Sequence, residues 1–216
     1  MSSDDEAAIR DSASLVVIDF ETQPERILMG RRASGHLFMP GVFVFPGGRL
    51  DEADAAAEIS APLAPEARDA LGVPAPGRQS DAAPHALAVT ALRELHEETG
   101  LSFGATTPDT FALDHLKFFA RAITPPGRVR RYDTRFFAAA RTDALQPSRR
   151  AGPDGELQEI DWFSLAELAD MQVAGITRQI LRDVAERLEA GPIDRWPSRV
   201  WLHSHDGDAF LRTRLA

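Results

Sequence analysis

Residues 93–101 read Arg93-Glu94-Leu95-His96-Glu97-Glu98-Thr99-Gly100-Leu101, and the spacing of the three glutamates decides how the rest of the chain is read. They lie in a run, 86–99, whose apolar pattern predicts a helix. At about 100° per residue, Ala88, Ala91, Leu92, Leu95 and Thr99 share one face, while Glu94, Glu97 and Glu98 gather on a neighbouring one. Gly100 supplies the stop. Like charges at i, i+3 and i+4 repel by ~0.2–0.5 kcal/mol per pair, so the arrangement is unfavourable by itself. A hard divalent cation reverses the sign, because Mg²⁺ or Mn²⁺ takes carboxylate oxygens and keeps coordination sites for water and phosphate. A solvated acidic face with Arg93 as a casual partner is the competing reading of three glutamates alone.

The context around the helix goes further. Arg-Glu-Leu-x-Glu-Glu-x-Gly-Leu, preceded by Phe45-Pro46-Gly47-Gly48, resembles the box G-x5-E-x7-R-E-U-x-E-E-x-G-U (U aliphatic) of the Nudix hydrolases, and its second half is complete here. The resemblance implies an α/β fold, a Nudix-type α/β/α sandwich with a mixed sheet. It also implies hydrolysis of a diphosphate linkage by water attacking phosphorus, with Mg²⁺ or Mn²⁺ as cofactor. Carried over residue by residue, Glu97 and Glu98 are the main metal ligands. Glu94 binds a second metal, orients the water or takes its proton. The Gly47 carbonyl completes the metal shell, and Arg93 holds the glutamates rather than touching substrate.

There are two departures from the pattern. Asp54 stands where the box has its first glutamate, one methylene shorter, and 38 residues separate it from Arg93 where the pattern has seven. The extra length is the Ala/Pro-rich stretch 55–84, expected to be an inserted loop with one or two short surface helices such as Pro65–Leu71. Loop-closure entropy grows only logarithmically with length, so the glycine turn and the helix can still face each other. Either Asp54 or a residue near His85 could replace the glutamate; His85 itself reads as a solvent-facing histidine. An insertion inside the box, together with Phe38-Met39-Pro40-Gly41 and the later runs 121–125 and 131–137, is similar to the branch that contains coenzyme A diphosphatases. Coenzyme A-like compounds are therefore the first substrate expectation, with ADP-ribose, NADH and nucleotide sugars as alternatives. A Nudix fold kept as a non-catalytic regulatory module is another, but it predicts loss of box glutamates and an attached DNA-binding segment.

Around the box, residues 14–20, 26–31, 41–45, 116–123, 132–139 and 157–163 read as strands, and 165–171 and 176–188 as helices. The whole chain, 1–216, is expected to form a single domain, with 191–216 as a C-terminal extension. Arg31, Arg32 and Arg121 are candidate phosphate contacts, and Glu156 and Glu159 are candidate bases outside the box. Phe38, Phe118, Phe119 and Trp162 could wall a base, although strand aromatics are more often core. His203 and His205 read as ordinary surface or lid residues. The tail tryptophans suggest packing onto the domain or onto a partner subunit, which leaves a homodimer open.

Composition sets the outer limits. The 216 residues carry 24 Lys+Arg against 33 Asp+Glu, a net charge of −9, which argues against nucleic-acid and anionic-membrane partners. Lys117 is the single lysine, and the arginine excess reads chiefly as compositional bias. The absence of cysteine excludes disulfides, thiolate metal sites and cysteine nucleophiles. The polar, acidic start and the lack of a long apolar run make the cytoplasm the expected location. The expected partner is a small-molecule diphosphate.

Overall fold

An alternation of apolar side chains in the first strand, β1 (Ile9–Asp19), builds both layers of the fold. Ala13, Leu15 and Val17 face one core, while Val16 and Ile18 face a second core on the other side. This period of two is what a strand buried on both faces requires. The structure is a computed structural model, and it describes residues 8–33, 41–103, 110–147 and 155–216. Phe38 and its neighbours 34–40 lie outside these residues.

In chain order, β1 is followed by β2 (Arg26–Arg32), β3 (Phe43–Val44), β4 (Gly47–Arg49), a 3-10 turn (Glu52–Ala56), β5 (Glu58–Ala61), α1 (Pro65–Leu71) and α2 (Pro84–Thr99). Then come β6 (Leu101–Phe103), β7 (Thr110–Ala112), β8 (Lys117–Ile123), β9 (Arg131–Ala140), β10 (Leu145–Pro147) and β11 (Leu157–Ser164). The chain closes with α3 (Leu165–Asp170), α4 (Gly175–Leu188), β12 (Trp201–Asp206) and β13 (Ala209–Arg214). The main sheet runs β11-β2-β1-β9-β8-β12-β13, with β3 on β2 and β4 on β1. It is mixed: β1 runs parallel to β9 and β12 parallel to β8, and the other pairs are antiparallel. Leu87, Ala88, Ala91, Leu92 and Leu95 of α2 pack on the first core, and Ile180, Leu181 and Val184 of α4 on the second. The expected α/β/α sandwich is what the chain forms.

Several expectations need correction. The third strand is shorter than 41–45, because Pro46 has no N–H for a ladder; its carbonyl instead accepts the Leu15 N–H at 2.9 Å, and the chain turns into β4. The insertion is more than surface helix. Leu63, Ala67, Ala70 and Leu71 are buried in the first core, and β5 pairs in parallel with β7. The stretch 191–216 is no appendage: β12 and β13 complete the sheet. Trp196 packs edge-on to Phe119 at 5.6 Å, and the guanidinium groups of Arg199 and Arg212 both lie over the Trp201 ring. His203, read as a surface residue, is buried and bonded through Nε2 to Asp183 at 2.6 Å, whereas His205 is exposed.

Candidate active site

Helix α2 carries the box glutamates past the β4 glycines because its apolar face is pinned on β1. Gly100, at φ 72°, ends it in the left-handed conformation that glycine adopts without strain. The loop comes close enough that neither glycine tolerates a side chain. A Cβ on Gly48 would overlap the Glu94 carboxylate, and one on Gly47 would overlap Ser14 and the Ala13 carbonyl. Gly47 donates its N–H to Glu98 Oε2 at 2.8 Å. Backbone and carboxylates thus meet in one place.

Arg93 organises the upper half of this cluster. Its Nε and Nη2 grip the two Asp54 oxygens at 2.8 and 3.0 Å, and Nη2 also reaches the Arg49 carbonyl at 2.9 Å. Nη1 donates to Glu94 at 2.8 Å and to Glu97 at 2.9 Å. Asp54 is buried, and it further accepts from the Thr90 hydroxyl at 2.7 Å and the Asp51 N–H at 2.9 Å. Burial alone pushes the Asp54 carboxyl up, but Arg93, Asp51 and Thr90 together outweigh it and hold it below its usual range. The 3-10 turn that presents Asp54 is closed by a reciprocal capping box with Asp51. Asp54, not a residue near His85, therefore meets Arg93 across the insertion. His85 is half-buried against the Ala55 carbonyl at 3.1 Å rather than solvent-facing.

The lower half has the opposite balance. Burial pushes Glu98 well above the usual glutamate range, and the charges of Glu94 and Glu156 add to this; the Gly47 N–H and Arg32 oppose it without winning. Glu94 is raised by burial too, Arg93 opposing and Glu97 and Glu156 reinforcing. Glu97 is nearly half exposed on the rim, turned to Arg93. Among the described residues no group of three or more acidic or histidine side chains is arranged so that it could hold a metal ion as it stands. The donor chemistry nonetheless fits a hard cation. Carboxylates raised chiefly by burial, and further by neighbouring carboxylates, form an under-neutralised negative site, which a divalent ion relieves.

The other candidates divide sharply. Arg32 reaches Glu156 at 3.3 Å and lies close enough to influence Glu98, so both stand at the acidic cluster. Arg31 alternates onto the opposite sheet face, in register with Phe43 of the second core, and pairs with Glu159. Arg121 is buried, gripping Asp133 through Nε at 2.8 Å and Nη2 at 2.7 Å, and donates to the Val73 carbonyl at 2.8 Å. Their placement turns Arg31 and Arg121 to partners away from the glutamates of α2, so neither stands at the acidic cluster. Phe118 and Phe119 are core, while Trp162 is half-buried with the Arg141 guanidinium 5.3 Å over its ring. Sequence reading missed Thr90 as a support of Asp54, since a lone helical threonine carries no signal of its partner.

Residues 81–184 match the family model of the NUDIX domain. That span begins near the end of the insertion and includes all of α2. Among solved structures, a NUDIX hydrolase from Alicyclobacillus acidocaldarius is 27% identical, covers 83% of this chain and 92% of its own, and superposes with a TM-score of 0.61. The NUDIX domain of Shewanella oneidensis NrtR, complexed with ADP ribose, is 18% identical over 87% of this chain and 94% of its own, at a TM-score of 0.52. A MutT NUDIX hydrolase from Burkholderia pseudomallei is 16% identical over 82% and 98%, at 0.50. The last two likenesses concern the fold. Sheet order, box helix, glycine turn and these matches agree on one class: the fold is that of the Nudix hydrolases, and residues 81–184 match the NUDIX domain.

Proposed function

We propose that the chain is a divalent-cation-dependent pyrophosphohydrolase that cleaves the diphosphate linkage of nucleoside-diphosphate derivatives. The observation that carries this is the under-neutralised pair Glu94 and Glu98, buried against the Gly47-Gly48 turn. Glu98, Glu97, Glu94 and the Gly47 carbonyl would hold Mg²⁺ or Mn²⁺. When bound, such an ion neutralises phosphate oxygens and makes water a better nucleophile. Arg93, locked on Asp54, keeps Glu94 and Glu97 presented and positions rather than reacts. Arg32 is the cation best placed to meet a phosphate oxygen at the cluster, and Glu156 beside it is the carboxylate outside the box available to accept a proton from water.

Coenzyme A-like compounds rank first as substrate, supported by the insertion inside the box; ADP-ribose, NADH and nucleotide sugars use the same machinery. No helix of the described residues is long and apolar enough to cross a membrane, and we place the enzyme in the cytoplasm. The test is a panel of these diphosphates with Mg²⁺ or Mn²⁺, with Glu98→Gln as control. Cleavage of one class that collapses in Glu98→Gln supports the proposal. If no diphosphate is cleaved and Glu98→Gln binds ligands as the wild type does, the proposed reaction is wrong.

A further inference from the structure

A second charged cluster lies across β1 from the Gly48 side. Ala13 pairs with Gly48 on one side and with Arg135 of β9 on the other, and all three positions face the helix layer. Helix α2 packs on β1, which lies between the strand that carries Gly48, beside Glu94, and the strand that carries Arg135. Around Arg135 three guanidinium groups meet two carboxylates. Arg135 reaches Asp11 at 2.5 Å and Asp133 at 3.2 Å; Arg121 grips Asp133; Arg78 of the insertion reaches Asp11 at 3.0 Å and Asp133 at 3.2 Å. Part of this network is a strut. Arg78 and the Arg121–Val73 hydrogen bond tie the insertion to the sheet.

The strut leaves three things over. Among the described residues one positive charge exceeds the carboxylates in a region where Arg121, Arg135 and Asp133 are almost fully buried, and an unbalanced buried charge is costly. The Arg135 Nε is buried and has no hydrogen-bond partner among the described residues, a rare condition for so strong a donor. Beside both arginines lies a cavity of about 130 Å³, lined also by Val73, Pro74, Gln79 and Ser80. A single water needs ~10–15 Å³ on this measure, so the space holds a tetrahedral oxyanion with its waters.

We propose that this cavity is a second, non-hydrolytic site that takes a phosphate-class oxyanion, recognised by Arg121 and Arg135 beneath the inserted segment. The guanidinium fork matches phosphate oxygens, and one monoanion restores the local balance. Burial and the neighbouring Arg121 charge hold the Arg135 guanidinium below its usual pKa, although Asp133 and Asp11 oppose this; an anion at the cavity acts in the same direction as those carboxylates. The anion can be free or can be a phosphate arm of the substrate.

The experiment is calorimetric titration of inorganic phosphate into the full chain stripped of divalent ions, so no diphosphate and no metal take part. Wild type binds one phosphate saturably. Two variants weaken this at least tenfold: Arg135→Gln, which removes the excess charge, and Gln79→Trp, which fills the cavity from an exposed position and leaves the ion network intact. Thermal melts without phosphate show whether each variant is folded, and Gln79→Trp decides the matter if Arg135→Gln is not. Absence of saturable binding to wild type, or wild-type binding by folded Gln79→Trp, overturns the site. Inhibition assays then separate the sources. Competitive inhibition by phosphate, relieved in Gln79→Trp, assigns the site to a substrate phosphate; a non-competitive effect assigns it to a free anion. Glu98→Gln, which tests the hydrolytic reading, leaves phosphate binding unchanged.

Discussion

Asp54 and Glu98 are both carboxylates with almost no solvent exposure, and both belong to the same box helix assembly, yet their surroundings drive them in opposite directions. Asp54 sits where the 3-10 turn meets the middle of α2, with both oxygens taken by Arg93 and further donors from Thr90 and Asp51. Glu98 sits at the end of α2 with one backbone N–H from Gly47, and other carboxylates nearby. Low exposure alone thus does not decide the role: one region is a scaffold and the other an unsatisfied site. What separates them is both the greater depth of Glu98 and its smaller number of donors.

Glu98→Gln should break the comparison most severely. Removing a ligand weakens the hold on the cation that would neutralise the phosphate oxygens, and losing one such electrostatic contribution typically costs ~10²–10³ in rate, so diphosphate hydrolysis in a steady-state assay should fall by about that much. The metal-free melting temperature should hold or rise, because the amide oxygen can still accept from Gly47 and the buried charge is gone. A clear loss of metal-free stability in Glu98→Gln would mean that Glu98 is scaffold after all.

Asp54→Ala should do the reverse. It leaves Arg93 partly buried without its main partner; breaking a fully buried pair costs ~3–5 kcal/mol, and because Arg93 keeps some exposure about 2–3 kcal/mol is expected by urea denaturation. The glycines sharpen the contrast on the other side of the cleft. Gly47→Ala collides with backbone and should cost about 1–3 kcal/mol of stability. Gly48→Ala collides with the movable Glu94 carboxylate and should lower activity roughly tenfold, equivalent to ~1.4 kcal/mol, with a smaller change in melting temperature.

The smallest effect is in pH. Asp54, with its folded pKa below the unfolded ~3.9, contributes stability that is present above that value and lost as pH falls through the folded one. Glu98, with its folded pKa raised, penalises the metal-free fold at neutral pH; the penalty is relieved as pH falls toward the unfolded ~4.3. The melting-temperature advantage of Glu98→Gln should therefore be largest at neutral pH and vanish near pH 4. An advantage that grows on acidification would contradict the raised Glu98 pKa.

Local pattern made α2 legible to within two residues at its start, and the spacing of Glu94, Glu97 and Glu98 pointed to the site before any partner was known. The Gly47-Gly48 turn was legible for the same reason, because close backbone approach leaves glycine as a local trace. The partners of Arg121 and Arg31 were not legible, because a side chain's partner depends on strand register. Asp133 lies across a hairpin from Arg121, and one step along β2 puts Arg31 on the wrong face for the glutamates. The tail was misread for a related reason: His203 meets Asp183 only after β12 has joined β8, a pairing that no local pattern announces.

The parallel pairing of β1 with β9 has a kinetic consequence. It begins at Ile9 opposite Arg131 and runs to Ile18 opposite Ala140, so the central strand waits for a partner more than a hundred residues downstream. Contacts of that separation slow folding, since the closing entropy is lost before the pairing compensates for it. Until β9 arrives, one edge of an apolar strand stays open, and a protein released from denaturant should pass slowly through a state prone to self-association.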